Sequence, residues 1–373
     1  MIYNPERHEE LINIDWDENK VIDCIESIFE DTQKNFDSIE KKTMYFGKAG
    51  ALFGLLEISK FLDKPLALDS KNAISEIYKS YIENPDTESV VPSLYLGEVG
   101  ILLVEYLVNP SETLEDKIFQ LVKSNIENPT LEALWAAPGT MIAASWFCNK
   151  TKKNEWKELF VENTEFLISK LKEEREEDLI WQQDLYGKKV RYTGAGHGYF
   201  GNMFGILKNI ELLKPDDKEY ILSHIKMVLD KLAIEEDGAV NWAPVFPKNP
   251  EIKPLSQWCH GAPGIVNSLK LFPKHDTVVE DLLVKAGELI WRAGPLTKGI
   301  GICHGTDGNG FSFLQLYKRT GNEIWLDRAR KFAMHCLPQR KNEYTLFTGD
   351  VGLALYLIAC LEKTDNFPFL DDF

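Results

Sequence analysis

A turn of the form Gly-x-x-Gly, followed at once by an apolar run, occurs seven times along this chain. The copies are Gly47-Lys48-Ala49-Gly50, Gly97-Glu98-Val99-Gly100, a degenerate Ala136-Ala137-Pro138-Gly139, Gly198-Tyr199-Phe200-Gly201, Gly261-Ala262-Pro263-Gly264, Gly305-Thr306-Asp307-Gly308 and Gly349-Asp350-Val351-Gly352. Successive copies lie 50, 39, 62, 63, 44 and 44 residues apart. One such turn is commonplace. Seven in step with apolar runs define a repeat, and a repeat constrains the fold more tightly than composition does.

Amphipathic helical patterns lie between the turns. Val21-Ile22, Ile25 and Ile28-Phe29 recur at three-to-four spacing with charges between them, as do Trp156, Leu159-Phe160, Phe166-Leu167 and Leu171, and Ile324, Leu326, Ala329 and Phe332-Ala333. The runs after the turns, such as Ala51 to Leu56 and Leu353 to Ile358, are apolar on every side, and a helix of that kind must be buried. Each repeat therefore reads as an outer amphipathic helix, a glycine turn and an inner apolar helix. Seven repeats close most simply into an all-α double ring, an (α/α)7 toroid with seven inner and seven outer helices. All seven turns then lie at one end, and closure removes the end faces that an open solenoid must cap. No shift of composition divides the chain, so residues 1–373 are expected to form a single domain. Strand signals are few: Gly238 to Trp242 reads as a short extended piece. Trp181 to Lys188 and the Pro-rich Pro244 to Pro250 read as loops placed to cover the mouth.

Two of the turns carry paired chemistry. Trp258-Cys259-His260-Gly261 and Ile302-Cys303-His304-Gly305 set a Cys-His pair against the turn with the same spacing. Two thiols and at least one imidazole, each fixed by a tight turn, suit a tetrahedral zinc site. A lone cysteine is more often a small buried hydrophobe, but the repetition argues against that reading here. The formal charge of −16 repels phosphate backbones and anionic membranes, so nucleic acid and the membrane surface are poor partners. Six cysteines in 373 residues are too sparse for a disulfide framework. No secretory pattern opens the chain and no apolar run has the length of a membrane span. The expectation is a reduced, cytoplasmic protein without stable membrane insertion.

In these residues the chain resembles the LanC-like proteins, which include the bacterial lanthipeptide cyclases and their eukaryotic relatives. The resemblance rests on Trp258 to Gly264, on Gly301-Ile302-Cys303-His304-Gly305 and on Gly194-Ala195-Gly196-His197-Gly198, and it covers nearly the whole chain. It implies the α/α toroid with zinc held by Cys259, Cys303 and His304, leaving a fourth position for water or a substrate thiol. A zinc-bound thiol is deprotonated at neutral pH and is then the nucleophile. The implied activity is addition of that thiol, a peptide cysteine or glutathione, to dehydroalanine or dehydrobutyrine in a peptide or protein, giving a thioether. The addition needs a proton donor, and His197 matches the family's histidine in the fourth turn. Glu132 stands where the family often carries an acid and is expected either to orient that donor or to be a solvated glutamate near a helix start. His260 is expected as an acid–base residue or as a group supporting the metal. Asp307 and Asp350 read as hydrogen-bonders to their own turns. Lys188 and Arg191 read equally as anchors for a substrate anion or as ordinary surface charge.

The chain departs from the lanthipeptide cyclases at two positions. Leu255 stands where they carry an arginine, and His260 where they often carry a tyrosine. Both point to the eukaryotic-type branch, associated with adding glutathione to dehydroamino acids in damaged proteins. Two other readings compete with the enzyme. One is a non-catalytic toroid with a closed zinc site, completed by His260 or Cys336, that binds glutathione or a partner protein. The other is different chemistry on a similar ring, such as a prenyltransferase or a glycoside hydrolase. The aspartate ligand of the former has no match here, and the latter needs paired carboxylates at the mouth.

Overall fold

In the computed structural model, residues 2–371 and 373 are described. The described residues form fourteen α-helices: α1 (Glu18–Lys34), α2 (Lys48–Leu62), α3 (Ser70–Glu83), α4 (Glu98–Val108), α5 (Glu112–Ser124), α6 (Ala137–Thr151), α7 (Asn154–Glu173), α8 (Tyr199–Leu207), α9 (Pro215–Lys231), α10 (Ala262–Ser268), α11 (Thr277–Ala293), α12 (Thr306–Thr320), α13 (Glu323–Cys336) and α14 (Asp350–Glu362). Four short strands complete them. β1 (Gln183–Leu185) pairs antiparallel with β2 (Lys188–Val190), and β3 (Ala233–Glu236) with β4 (Ala239–Trp242). The all-α class and the alternation of amphipathic with apolar helices are as the repeats predict. Each of the seven turns opens an even-numbered helix.

The contacts group into two compact units. The first comprises residues 1–5 and 119–293. In it, the apolar helices α6, α8 and α10 pack in succession, with α7 against α6 and α11 against α10 and β4. The second comprises residues 6–118 and 294–373. There α12, α14, α2 and α4 pack in succession, backed by α13, α1 and α3.

The two kinds of helix start differently. Five of the seven outer helices use side-chain caps: Asp17 accepts from Lys20 N–H, Asp69 from Lys71 and Asn72, Ser111 from Leu114, Asp276 from Val278 and Val279, and Asn322 from Ile324, while α7 and α9 start at Lys153 and Lys214 without one. The apolar helices have glycine or alanine at the N-cap and no side-chain bond there. Their first N–H groups turn instead to the backbone leading into the turn. The N–H of Lys48, Glu98, Tyr199, Thr306 and Asp350 each donates to the carbonyl seven residues earlier, at 2.7 to 3.0 Å. This satisfies orphan donors where no water reaches.

That close approach explains the second glycine of six of the seven turns. A Cβ on Gly50, Gly100, Gly139, Gly201, Gly264 or Gly352 would meet the carbonyl oxygen six residues earlier at 1.9 to 2.2 Å. No side chain fits there. The first glycine of the third turn is replaced by Ala136 without changing the geometry: φ is −111° and ψ −167°, as at the neighbouring caps.

Two expectations are refined. Trp181 to Lys188 is not simply loop, because Gln183 to Val190 form the β1–β2 hairpin. Its strands are three residues long, too short for a period-two signal to stand out. The runs after the turns are also not all apolar, since α12 buries Asp307, Asn309, Ser312 and Gln315. Of these groups, the carboxylate of Asp307 is held by internal hydrogen bonds, as described below.

Candidate active site

Before each apolar helix the chain makes a three-residue turn ending at the N-cap, and equivalent positions can be compared directly. The residue just before the cap is Phe46, Leu96, Trp135, His197, His260, His304 or Thr348. The residue two before it is Tyr45, Tyr95, Leu134, Gly196, Cys259, Cys303 or Phe347. Every imidazole singled out in the sequence falls in one slot, and both candidate thiols fall in the other. Adjacent turns are stitched together at the second slot. Tyr45 N–H donates to Tyr95 O at 3.1 Å, Gly196 N–H to Cys259 O at 3.2 Å, and Cys303 N–H to Phe347 O at 3.0 Å.

In the first unit, this stitching brings His197, Cys259 and His260 together. Gly196 lies so close to Cys259 that a Cβ on it would meet the Cys259 Cβ at 2.8 Å. The Cys259 thiol is buried, and Gln257 Nε2 donates to its sulfur at 2.8 Å. Such a bond favours the thiolate over the thiol. Gln257 and His260 exchange backbone bonds at 3.1 and 3.0 Å, which closes the turn tightly. Gly261 then takes φ +95°, a conformation that L side chains rarely adopt, and a Cβ there would strike Leu255 O at 2.0 Å. The direct backbone bond that starts most of the other apolar helices is replaced here by an inserted amide. Asn241 Oδ1 accepts from Ala262 N–H at 2.8 Å, and its Nδ2 donates to Leu255 O at 3.0 Å.

His197 Nδ1 donates to Glu132 Oε2 at 3.0 Å. The carboxylate is wholly buried, and its two oxygens also accept from the N–H of Leu134 at 3.1 Å and of Trp135 at 2.7 Å. Glu132 does in the third turn what Ser93 does in the second, where the Ser93 hydroxyl oxygen accepts from Tyr95 and Leu96 N–H. It is therefore not a solvated glutamate. It is a turn anchor with one oxygen turned to an imidazole. Burial pushes His197 down, while the hydrogen bond and charge of Glu132 and the nearby Cys259 push it up, and the balance lies above the ordinary histidine value. The His197 side chain remains 21% exposed. Around it stand Tyr186, Tyr192 and His260, with ring centroids at 6.1, 6.0 and 6.1 Å. Such a group can hold a proton near neutrality and deliver it to an atom in the adjoining space.

In the second unit, Cys303 is buried and His304 half-buried. Cys303 Sγ lies 3.7 Å from His304 Nε2. Two such atoms on one tetrahedral zinc stand about 3.5 Å apart, given Zn–S near 2.3 Å and Zn–N near 2.0 Å. The pair fits that metal. Cys336 is engaged elsewhere: its thiol donates to Asp307 Oδ1 at 3.3 Å, and burial pushes it well above the ordinary thiol value. Asp307 Oδ2 accepts from Gly301 N–H at 3.0 Å, and burial raises this carboxyl to about 6. Asp350 accepts from the N–H of Lys341 and Asn342 and from Arg340 Nε. Both aspartates hold their own turns, as their positions suggest. Arg191 is spent on Glu174, Asp178 and the Ile180 carbonyl with its side chain only 13% exposed, so it is neither a free anchor for a substrate anion nor ordinary surface charge.

Sequence reasoning missed Gln257, Asn241 and Tyr192 as parts of the site. Gln257 had a signal, since it lies four residues before its cap, as Ser93 and Glu132 do before theirs. Asn241 had none, because only the packing of β4 against the turn brings it there.

Comparison with known proteins adds independent findings. A family described as lanthionine synthetase C-like protein matches residues 13–371. Glutathione S-transferase LANCL1 of Danio rerio is 32% identical over 182 residues, which is 46% of this chain and 43% of that protein. LanC-like protein GCL1 of Arabidopsis thaliana is 29% identical over 178 residues, 44% of this chain and 39% of that protein. Each match takes in less than half of the relative. Among solved structures, nisin cyclase superposes with a TM-score of 0.66 at 19% identity, over 94% of this chain and 99% of its own. At that identity the likeness shows the fold alone, the α/α toroid class expected from the seven repeats.

Proposed function

We propose, from the premise that the chain belongs to the lanthionine synthetase C-like family, that it forms thioethers by adding a zinc-activated thiol to a dehydroamino acid. Residues 1–373 act as one domain in this reading. Cys259, Cys303 and His304 hold the zinc, a donor set of two thiolates and one imidazole that suits the ion. Bound there, zinc keeps a substrate sulfur deprotonated and reactive at neutral pH. The thiol comes from a peptide cysteine or from glutathione, and the acceptor is dehydroalanine or dehydrobutyrine in a peptide or protein.

The balance of the reaction is simple. Sulfur bonds to the β-carbon, the double bond opens toward the carbonyl, and a proton must reach the α-carbon. His197 delivers that proton. Glu132 orients the imidazole through Nδ1, leaving Nε2 to face the reacting atoms, and is itself locked by two backbone N–H groups. His260, one slot along in the next turn, supports the same proton transfer. Gln257 stabilises the Cys259 sulfur as an anion.

The observation that carries this reading is the adjacency of the His197–Glu132 pair to the Cys259 turn, through the Gly196 N–H bond to Cys259 O. An acid–base pair beside a thiol ligand is what addition followed by protonation requires. The test measures zinc per chain in wild type and in Cys303→Ala, then follows zinc K-edge absorption as glutathione is added. One zinc per chain, lost in the variant, with a further sulfur entering the shell, is the expected result. Four protein ligands that never exchange would leave a scaffold that binds glutathione or a protein partner, and no zinc would overturn the reading.

A further inference from the structure

The β1–β2 hairpin carries at its tip a residue that its own backbone disfavours. Tyr186 and Gly187 form the two-residue loop between the paired Leu185 and Lys188, with φ of 52° and 70°. A loop with both residues at positive φ is the type I′ turn, for which Asn-Gly is the favoured pair. Tyrosine in the left-handed region costs about 1 kcal/mol or more, and this one is 67% exposed. Neither turn chemistry nor burial accounts for an aromatic ring at this place.

The ring is nonetheless held. Trp135 Nε1 donates to the Tyr186 hydroxyl at 3.2 Å. The two rings meet edge-on with centroids 6.3 Å apart, and Tyr186 meets His197 edge-on at 6.1 Å. Trp135 occupies in its turn the slot that His197 occupies in the next, so the hairpin tip spans two adjacent slots. A pre-held amphipathic ring beside an acid–base pair, with most of its surface in solvent, offers contact area at little entropic cost. Strain kept at such a place points to function.

We propose that Tyr186 is a specificity-determining residue that contacts the acceptor's flanking chain. It packs against an aromatic or apolar residue next to the dehydroamino acid, and so selects a peptide or protein segment over an isolated dehydroamino-acid derivative. This rests on the thioether-forming reading of the same site. Arg191, upstream of His197, is already neutralised by Glu174 and Asp178 and offers the acceptor no free charge.

The test uses Tyr186→Asn, which removes the ring and supplies the residue that the turn favours, so folding is kept. Two acceptors are compared with glutathione as the thiol: a short peptide with Phe beside dehydroalanine, and N-acetyl-dehydroalanine methyl ester. Y186N is expected to raise KM for the peptide about 10-fold, as loss of an aromatic anchor does. The ratio of kcat/KM for peptide over ester should fall by the same factor. Tyr186→Phe should keep most of the ratio. A ratio unchanged in Y186N, with both acceptors rising or falling together, would overturn the proposal. If the wild-type protein adds neither glutathione nor a peptide cysteine to either acceptor, the thioether reading fails on its own, and calorimetric affinity for the peptide decides this one. Binding about 10-fold weaker in Y186N supports the contact, and equal affinity refutes it.

Discussion

The turns of α2, α4 and α14 and those of α8 and α10 share one backbone and carry different side chains. Four of these five start with an N–H bond to the carbonyl seven residues back, α10 using the inserted Asn241 amide instead, and all five need glycine at the third helical residue. In both sets the slot two before the cap is stitched to its neighbour through the backbone. In the turns of α2, α4 and α14 that slot is filled by Tyr45, Tyr95 and Phe347, whose rings stack at 5.0 Å and meet edge-on at 5.6 Å. In those of α8 and α10 it holds Gly196 and Cys259, with His197 and His260 beside them. The difference teaches that the scaffold is a backbone device, indifferent to what two slots per turn contain. Aromatic filling yields packing energy, and small or polar filling leaves room for chemistry.

The largest effect should come from emptying a slot on the chemical side. Cys259→Ala is expected to remove zinc and to cut thiol addition by at least about 100-fold, since even groups behind the ligands cost 10 to 100-fold. Tyr45→Ala, its counterpart, should keep the zinc and lose about 3 kcal/mol of stability, as a large aromatic-to-alanine change in a core does. Metal analysis and urea unfolding of the two variants separate the roles. If both lose zinc equally, the slots are not independent.

His197→Gln should keep the metal and lower the addition rate by about 100-fold or more, the usual worth of a positioned acid. Glu132→Gln sharpens this. Glu132 raises the imidazole, so its loss lowers that value, and the protonated donor is exhausted at lower pH. The alkaline fall of the rate profile should therefore move toward acid, and an unmoved limb would remove Glu132 from the proton path.

The shared backbone predicts equal damage on both sides from the third-residue glycines. Gly264→Ala and Gly50→Ala would each force a Cβ against a carbonyl oxygen, at 1.9 and 2.1 Å. Each should cost roughly 3 kcal/mol in urea unfolding. A harmless result in one region would show that its turn is looser than the geometry indicates.

The smallest effect concerns acid. The first residue of α8, Tyr199, shares a hydrogen bond through its hydroxyl with His224 Nδ1 of α9 at 2.7 Å, whereas the first residue of α4, Glu98, accepts from Tyr78 of α3 at 2.6 Å. Burial lowers His224 from 6.5 to about 4. Between those values the unfolded chain binds the proton and the folded chain does not, so stability falls as pH drops. The expected loss between pH 7 and pH 5 is about 2 kcal/mol. His224→Phe should flatten that part of the profile, and Tyr78→Phe should leave it. A profile unchanged by His224→Phe would assign the acid sensitivity to other groups.

Much of this was legible because a repeat announces itself. The seven turns, the apolar runs behind them and the Cys-His pairs all sit at fixed offsets, and a glycine forced by a backbone contact reads plainly in a sequence. The hairpin under Tyr186 was not legible, since three-residue strands carry too little periodicity.

By itself the sequence determined the helix alternation, the turn positions and the residue types that occupy the chemical slots. These depend on local backbone requirements and on the burial of each helix, and both are written in neighbouring residues. Tertiary structure alone decided which groups meet. Glu132 and His197 are 65 residues apart in the chain, and Asn241 is inserted into the α10 cap from a strand. Hydrogen bonds of that range depend on packing angles that no local pattern encodes. The same geometry made Glu132 a buried anchor instead of a solvated acid.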